Sequence, residues 1–278
     1  MEALETNSSA PPARVLAVVN QKGGVGKTTT AVNLAASLAA AERSVLIVDV
    51  DPQGNASSGL GITNPELQIY HVLSAACSAV EALQPTGLSH LHAIPAGPDL
   101  AGAEIELVSV EGREGLLREA LAPLLPHYDF VLVDCPPSLG LLTLNALVAA
   151  HALLVPLQCE YYALEGLARL LGTVERVRAN YNPALEREGI VLTMVDRRAN
   201  LSQQVESDVR EHFGSEVPGG VFATVIPRNV RLSEAPSHGK PILLYDIGSR
   251  GAHAYLQLAE ELLRRHPRPE RKPPALGG

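Results

Sequence analysis

Gln21-Lys22-Gly23-Gly24-Val25-Gly26-Lys27-Thr28-Thr29 follows the apolar run 15–19 directly and opens an Ala-rich helical segment. It matches the spacing G-x-x-x-x-G-K-[ST] except at the first position, where Gln21 or Lys22 stands in place of glycine. Gly23, Gly24 and Gly26 let the backbone turn its N–H groups inward and approach an anion with no Cβ in the way. The helix that begins near Lys27 points its positive end at the same anion. Lys27 is placed to neutralise the β- and γ-phosphates of a bound nucleotide, and the Thr28 hydroxyl to ligate Mg²⁺. Residues 21–29 are therefore the candidate nucleotide-binding segment, with ATP and Mg²⁺ as the implied ligands. A plain strand-to-helix glycine turn is the competing reading. It does not account for the Lys-Thr pair at the helix start and a second lysine at the mouth.

Working outward, two more apolar runs end in carboxylates. Residues 45–48 lead into Asp49-Val50-Asp51-Pro52-Gln53-Gly54-Asn55, and 130–133 into Asp134-Cys135-Pro136-Pro137-Ser138. The C-terminal edge of a parallel strand is where such sheets place their ligands. Asp134 reads as the residue that holds Mg²⁺, directly or through water. Either segment alone could be a buried strand with a capping aspartate; their order after the glycine loop favours a nucleotide site. Further strand candidates are 91–94, 153–156, 190–195 and 223–226. Most are continuous Val/Ile/Leu runs, as expected for strands buried on both faces. Helical patterns at 27–41, 112–124, 164–180, 201–213 and 252–265 separate them. This alternation predicts an α/β fold, a mostly parallel twisted sheet flanked by helices on both faces.

The 278 residues carry 22 Lys+Arg against 30 Asp+Glu, a net charge of −8, which excludes a protein coated in positive charge. Nucleic acid could then be bound only through a local patch or a surface made by assembly. Apolar residues at 46% supply one large core, with no internal linker or repeat. One domain over 14–265 is expected, between a flexible leader at 1–13 and a disordered, Pro-rich basic tail at 266–278. The acidic, polar start is not a secretion signal, and Thr143, Asn145, His151 and Pro156 make the apolar stretch 141–157 a helix and strand, not a bilayer span. Cys77, Cys135 and Cys159 form neither a CxxC nor an even set, which fits a reducing, cytoplasmic setting.

KGGVGKTTT, with a lysine before the double glycine, resembles the deviant Walker A loop of the ParA/MinD family of P-loop NTPases. The body from about 15 to 263 resembles the ParA/Soj chromosome-partitioning branch, most tellingly in the stretch 224–241, TVIPRNVRLSEAPSHGKP. The resemblance implies that Lys22 reaches across a homodimer to the partner's nucleotide. It also implies that Asp51 orients the attacking water, making Lys22, Asp51 and Lys27 the catalytic candidates. Pro227 and Asn229 become candidates for the adenine side, although both are also ordinary turn residues. The implied function is an ATP-dependent DNA-segregation switch, with slow hydrolysis stimulated by a ParB/Spo0J-like centromere-binding protein. A MinD-like positioning ATPase and a metabolic P-loop ATPase are the alternatives. The first is disfavoured because Pro267 and Pro269 cut off a C-terminal amphipathic helix, the second because no paired cysteines or acceptor motif is present.

Nonspecific double-stranded DNA remains a sensible partner despite the negative chain. Between 227 and 250 stand Arg228, Arg231, Lys240 and Arg250, with Arg197 and Arg198 on a preceding loop. Arg198, Arg228, Arg231 and Arg250 are the DNA-contact candidates, since arginine grips phosphate without reading bases. Pairing two such patches in an ATP-bound dimer would convert weak contacts into strong ones, giving a nucleoid-associated, membrane-free protein.

Overall fold

The computed structural model describes residues 13–160, 162–214 and 219–267. Seven strands form one sheet: β1 (Arg14–Val18), β2 (Val45–Asp49), β3 (Gln84–Pro85), β4 (Leu91–Ile94), β5 (Phe130–Asp134), β6 (Ala152–Gln158) and β7 (Glu186–Thr193). Their order across the sheet is β3-β4-β2-β5-β1-β6-β7, all parallel except the two-residue β3 at the edge. The helices are α1 (Lys27–Ala40), α2 (Asn55–Gly59), α3 (Ile69–Leu73), α4 (Leu100–Glu106), α5 (Leu116–Leu121), α6 (Leu141–Ala149), α7 (Ala163–Asn180), α8 (Asn200–Phe213), α9 (Val230–Glu234), α10 (Ile242–Tyr245) and α11 (Arg250–Arg265).

The two-residue period of a strand explains why the central runs are apolar throughout. Val15, Ala17 and Val19 point into one core, with α6 and α7, while Leu16 and Val18 point into the other, with α1 and α11. Helix α11 is strongly amphipathic, and its apolar side, including Tyr255, Leu258 and Leu262, is buried in that second core. It therefore offers no free apolar face to a membrane. Among the described residues no helix is long and apolar enough to cross one.

Several expectations need correction. Residues 223–226 form no strand: the Ala223 and Thr224 N–H groups donate to the Glu261 carboxylate at 2.9 Å, isolated bridges to the sheet fall on the flanking Val221 and Pro227, and within the segment the Ile226 N–H donates to the Leu192 carbonyl at 2.8 Å. The helix expected over 112–124 shrinks to a 3₁₀ turn over 113–115, entered from Gly112 at a left-handed φ of 71°, and the six-residue α5. Ordered packing also reaches beyond 14–265. Ala13 is buried with its N–H bonded to the Leu125 carbonyl, and the His266 imidazole lies 2.9 Å from Glu188. The remainder of the expected leader, 1–12, and of the tail, 268–278, falls outside the described residues.

Candidate nucleotide site and arginine groove

Strand register brings the site together. Val18 and Asp49 both lie opposite Asp134, so the C-terminal ends of β1, β2 and β5 converge. The chain leaves β1 through Asn20, whose amide donates to the Pro156 carbonyl at 2.8 Å and whose Oδ1 accepts the Lys22 N–H at 3.0 Å. Gly24 and Gly26 have φ of 74° and 85°, in the left-handed region that favours glycine. A Cβ on either would meet nothing closer than 3.9 Å, so backbone conformation rather than crowding selects glycine. The far side of the loop is pinned from β7, where the Thr193 hydroxyl donates to the Val25 carbonyl at 2.8 Å.

Lys27 is buried, with its ammonium 3.1 Å from the Lys22 carbonyl. Burial lowers its pKa, while the carboxylates of Asp134 and Asp51 oppose that shift. Asp134 is fully buried, and neither carboxylate oxygen has a hydrogen-bond partner. Burial and the neighbouring Asp49 and Asp51 push its pKa well above the usual carboxylate range, and the Thr28 hydroxyl, facing it without completing a hydrogen bond, pulls the other way. Two unsatisfied oxygens beside a hydroxyl at a phosphate loop form a donor set suited to a hard divalent cation. Asp51 is buried, and its Oδ1 accepts the Gln53 N–H at 3.0 Å.

A cavity of about 420 Å³ opens beside the loop, lined among others by Gly26, Thr28, Thr29, Pro227 and Asn229. The loop and the base-side candidates thus share one space. Asn229 is also a helix cap, its Oδ1 accepting the Arg231 N–H at 2.8 Å. Gln21 is half-buried and Gly23 exposed, and neither lines this cavity. Lys22 is exposed and its ammonium pairs with Glu160 of its own chain.

A family model described as an AAA domain matches residues 13–187. The chain is 57% identical over 254 residues to the chromosome partitioning protein ParA of Myxococcus xanthus, covering 91% of this chain and 88% of the relative. It is 53% identical over 251 residues to the sporulation initiation inhibitor protein Soj of Bacillus subtilis, covering 90% and 98%. The chain belongs to the ParA/Soj family of chromosome-partitioning ATPases. A crystal structure of cobyrinic acid a,c-diamide synthase from Mycobacterium smegmatis, with bound ATP analog and magnesium, superposes with a TM-score of 0.78 at 41% identity, covering 91% and 95%.

In this ParA/Soj family member the arginines sort into two groups. Arg198, Arg228 and Arg250, joined by Arg197, line a second cavity of about 740 Å³. None of these four makes an ion pair among the described residues. Arg231 does not line this cavity, and pairs on the surface with Glu234 at 2.9 Å and Asp246 at 3.4 Å. Sequence reading also passed over Asp49 as a site residue. Its Oδ1 accepts the Asp51 N–H at 3.1 Å, and its Oδ2 accepts the Ser57 N–H at 2.9 Å and hydroxyl at 2.7 Å. Burial pushes its pKa up to about 6. Its two-residue spacing from Asp51 was the available signal. Glu160 and Thr193 carry no local motif.

Proposed function

We propose that this chain is an ATP-gated DNA-segregation switch, closed as a homodimer by Mg·ATP and opened by slow hydrolysis. The observation that supports the reading is the set Arg197, Arg198, Arg228 and Arg250, without an ion pair among the described residues, gathered around one cavity that adjoins the nucleotide cavity through Pro227 and Arg228. Arginines with no carboxylate partner keep their donors for phosphate. Residues 21–29 would hold the nucleotide phosphates, with Lys27 among them, and Thr28 with Asp134 would hold Mg²⁺, which offsets charge on the phosphate oxygens. Asp51, fixed through the Gln53 N–H and the Asp49–Ser57 pair, orients the attacking water. Pro227 and Asn229 flank the base.

Lys22 is the residue that would cross to the partner's nucleotide. It must first leave Glu160, and an exposed ion pair costs at most about 1 kcal/mol to break. Because these motifs supply no strong general base, turnover is slow until a ParB/Spo0J-like protein stimulates it. The dimer on double-stranded DNA places the protein on the nucleoid, within the cytoplasm. The metabolic alternative draws on the 41% likeness to the synthase structure; the greater identity to ParA and Soj weighs against it. The test is a gel shift on random-sequence duplex with ATP or ADP. Retention with ATP and its loss in Arg198→Glu are expected; equal retention of wild type and variant at matched salt overturns the reading.

A further inference from the structure

The nucleotide cavity and the arginine groove are separated by the same two pieces of chain. Pro227 and Arg228 line both spaces, and residues 193–198 run from one to the other: Thr193 and Met194 face the nucleotide side, Val195 to Arg198 the groove. A continuous set of hydrogen bonds fixes these pieces to each other and to the phosphate loop. The Thr193 hydroxyl holds the Val25 carbonyl at 2.8 Å, the Val195 N–H donates to the Ile226 carbonyl at 3.1 Å, and the Arg228 N–H donates to the Val195 carbonyl at 3.3 Å. Between Thr193 and Val195 the backbone is strained, since Met194 sits at a φ of 53°. A non-glycine residue held there is a place where a small shift of the loop can be taken up by a discrete backbone change.

We propose that Thr193 is a positioning residue that ties the phosphate loop to the arginine groove, so that nucleotide in the first cavity sets the arrangement of Arg197, Arg198 and Arg228 within a single subunit. The proposal rests on the groove being the DNA site and adds a route that does not pass through the dimer. If the loop moves to wrap phosphates, Val25 carries Thr193 with it, and the bonded ladder 195–226–228 follows. Dimerisation then joins two grooves already arranged, instead of arranging them.

The test compares Thr193→Val, which keeps the shape and removes the hydroxyl, with Thr193→Ser, which restores it. At saturating nucleotide, wild type and Thr193→Ser should bind random-sequence duplex more tightly with ATP than with ADP. In Thr193→Val that ratio should fall by about tenfold, in the range of ordinary coupling between sites. Hydrogen exchange at the Val195, Ile226 and Arg228 amides needs no DNA: Mg·ATP should slow it in wild type, in Thr193→Ser and in Lys22→Ala, but not in Thr193→Val. Slowing that disappears in a monomeric Lys22→Ala, or that persists in Thr193→Val, overturns the proposal. A wild type that ignores DNA while its amides still respond to ATP keeps the link but removes DNA as its output, which separates this inference from the function proposed above.

Discussion

Salt titration of DNA binding turns the geometry of the groove into a slope. Each phosphate neutralised by a protein cation on duplex DNA contributes about −0.9 to the slope of log K against log salt. Four arginines without an ion pair among the described residues line the groove, so one subunit making all four contacts gives a slope near −3.6, and a closed dimer about −7. Substituting Arg198→Gln removes one contact per subunit, and the dimer slope should flatten by about 2. Arg231→Gln should leave the slope almost unchanged, because that guanidinium already faces Glu234 and Asp246. The assay is fluorescence anisotropy of a labelled random-sequence duplex across a salt series, with a slowly hydrolysed ATP analogue and with ADP. An Arg231→Gln effect equal to that of Arg198→Gln refutes the division of the arginines. A slope shallower than that of a single subunit refutes the groove itself.

Asp51→Ala should bind ATP and remain dimeric while its phosphate release falls at least about a hundredfold, the scale of one positioned group at a reacting water; turnover at the wild-type rate removes Asp51 from the chemistry. Gly26→Ala should weaken ATP binding and cost about 1–2 kcal/mol in stability, from backbone strain alone, because its Cβ meets no atom closer than 3.9 Å; calorimetry reads both. Glu188 is buried, which raises its pKa, but the hydrogen bonds and charges of His266 and Arg14 outweigh burial and lower it. A lowered carboxylate pKa stabilises the fold above the ordinary glutamate range and ceases to do so as pH falls through its folded value. Glu188→Gln should therefore melt about 4–8 °C lower than wild type at neutral pH, for a loss of about 2 kcal/mol, with the two converging in acid. A difference that is constant with pH contradicts that assignment.

The parts of the site carried by local chemistry were legible in the sequence. Glycines before Lys27-Thr28 and aspartates closing the β2 and β5 runs need no tertiary information, since strand ends and helix starts are set by neighbours in the chain. Continuous apolar runs at β1, β2, β5 and β6 were equally plain, because a strand covered on both faces has no polar side. Residues 223–226 misled for a tertiary reason: apolar character predicts burial, but Glu261, distant in sequence, takes the hydrogen bonds that a sheet ladder would have used. The pairing of Arg231 with Glu234 and Asp246, unlike the open arginines of the groove, likewise emerges only in the fold. Thr193 and Glu160 meet the phosphate loop only through folding, across 168 and 138 positions of chain. The edge strand β3, two residues long and ending in proline, is too short for any periodicity to reveal.

Mass in solution tests the nucleotide-gated dimer most directly. Light scattering of the full chain with Mg²⁺ and a slowly hydrolysed ATP analogue should report twice the 29.4 kDa chain mass, and with ADP a single chain. One and the same mass with both nucleotides would contradict it.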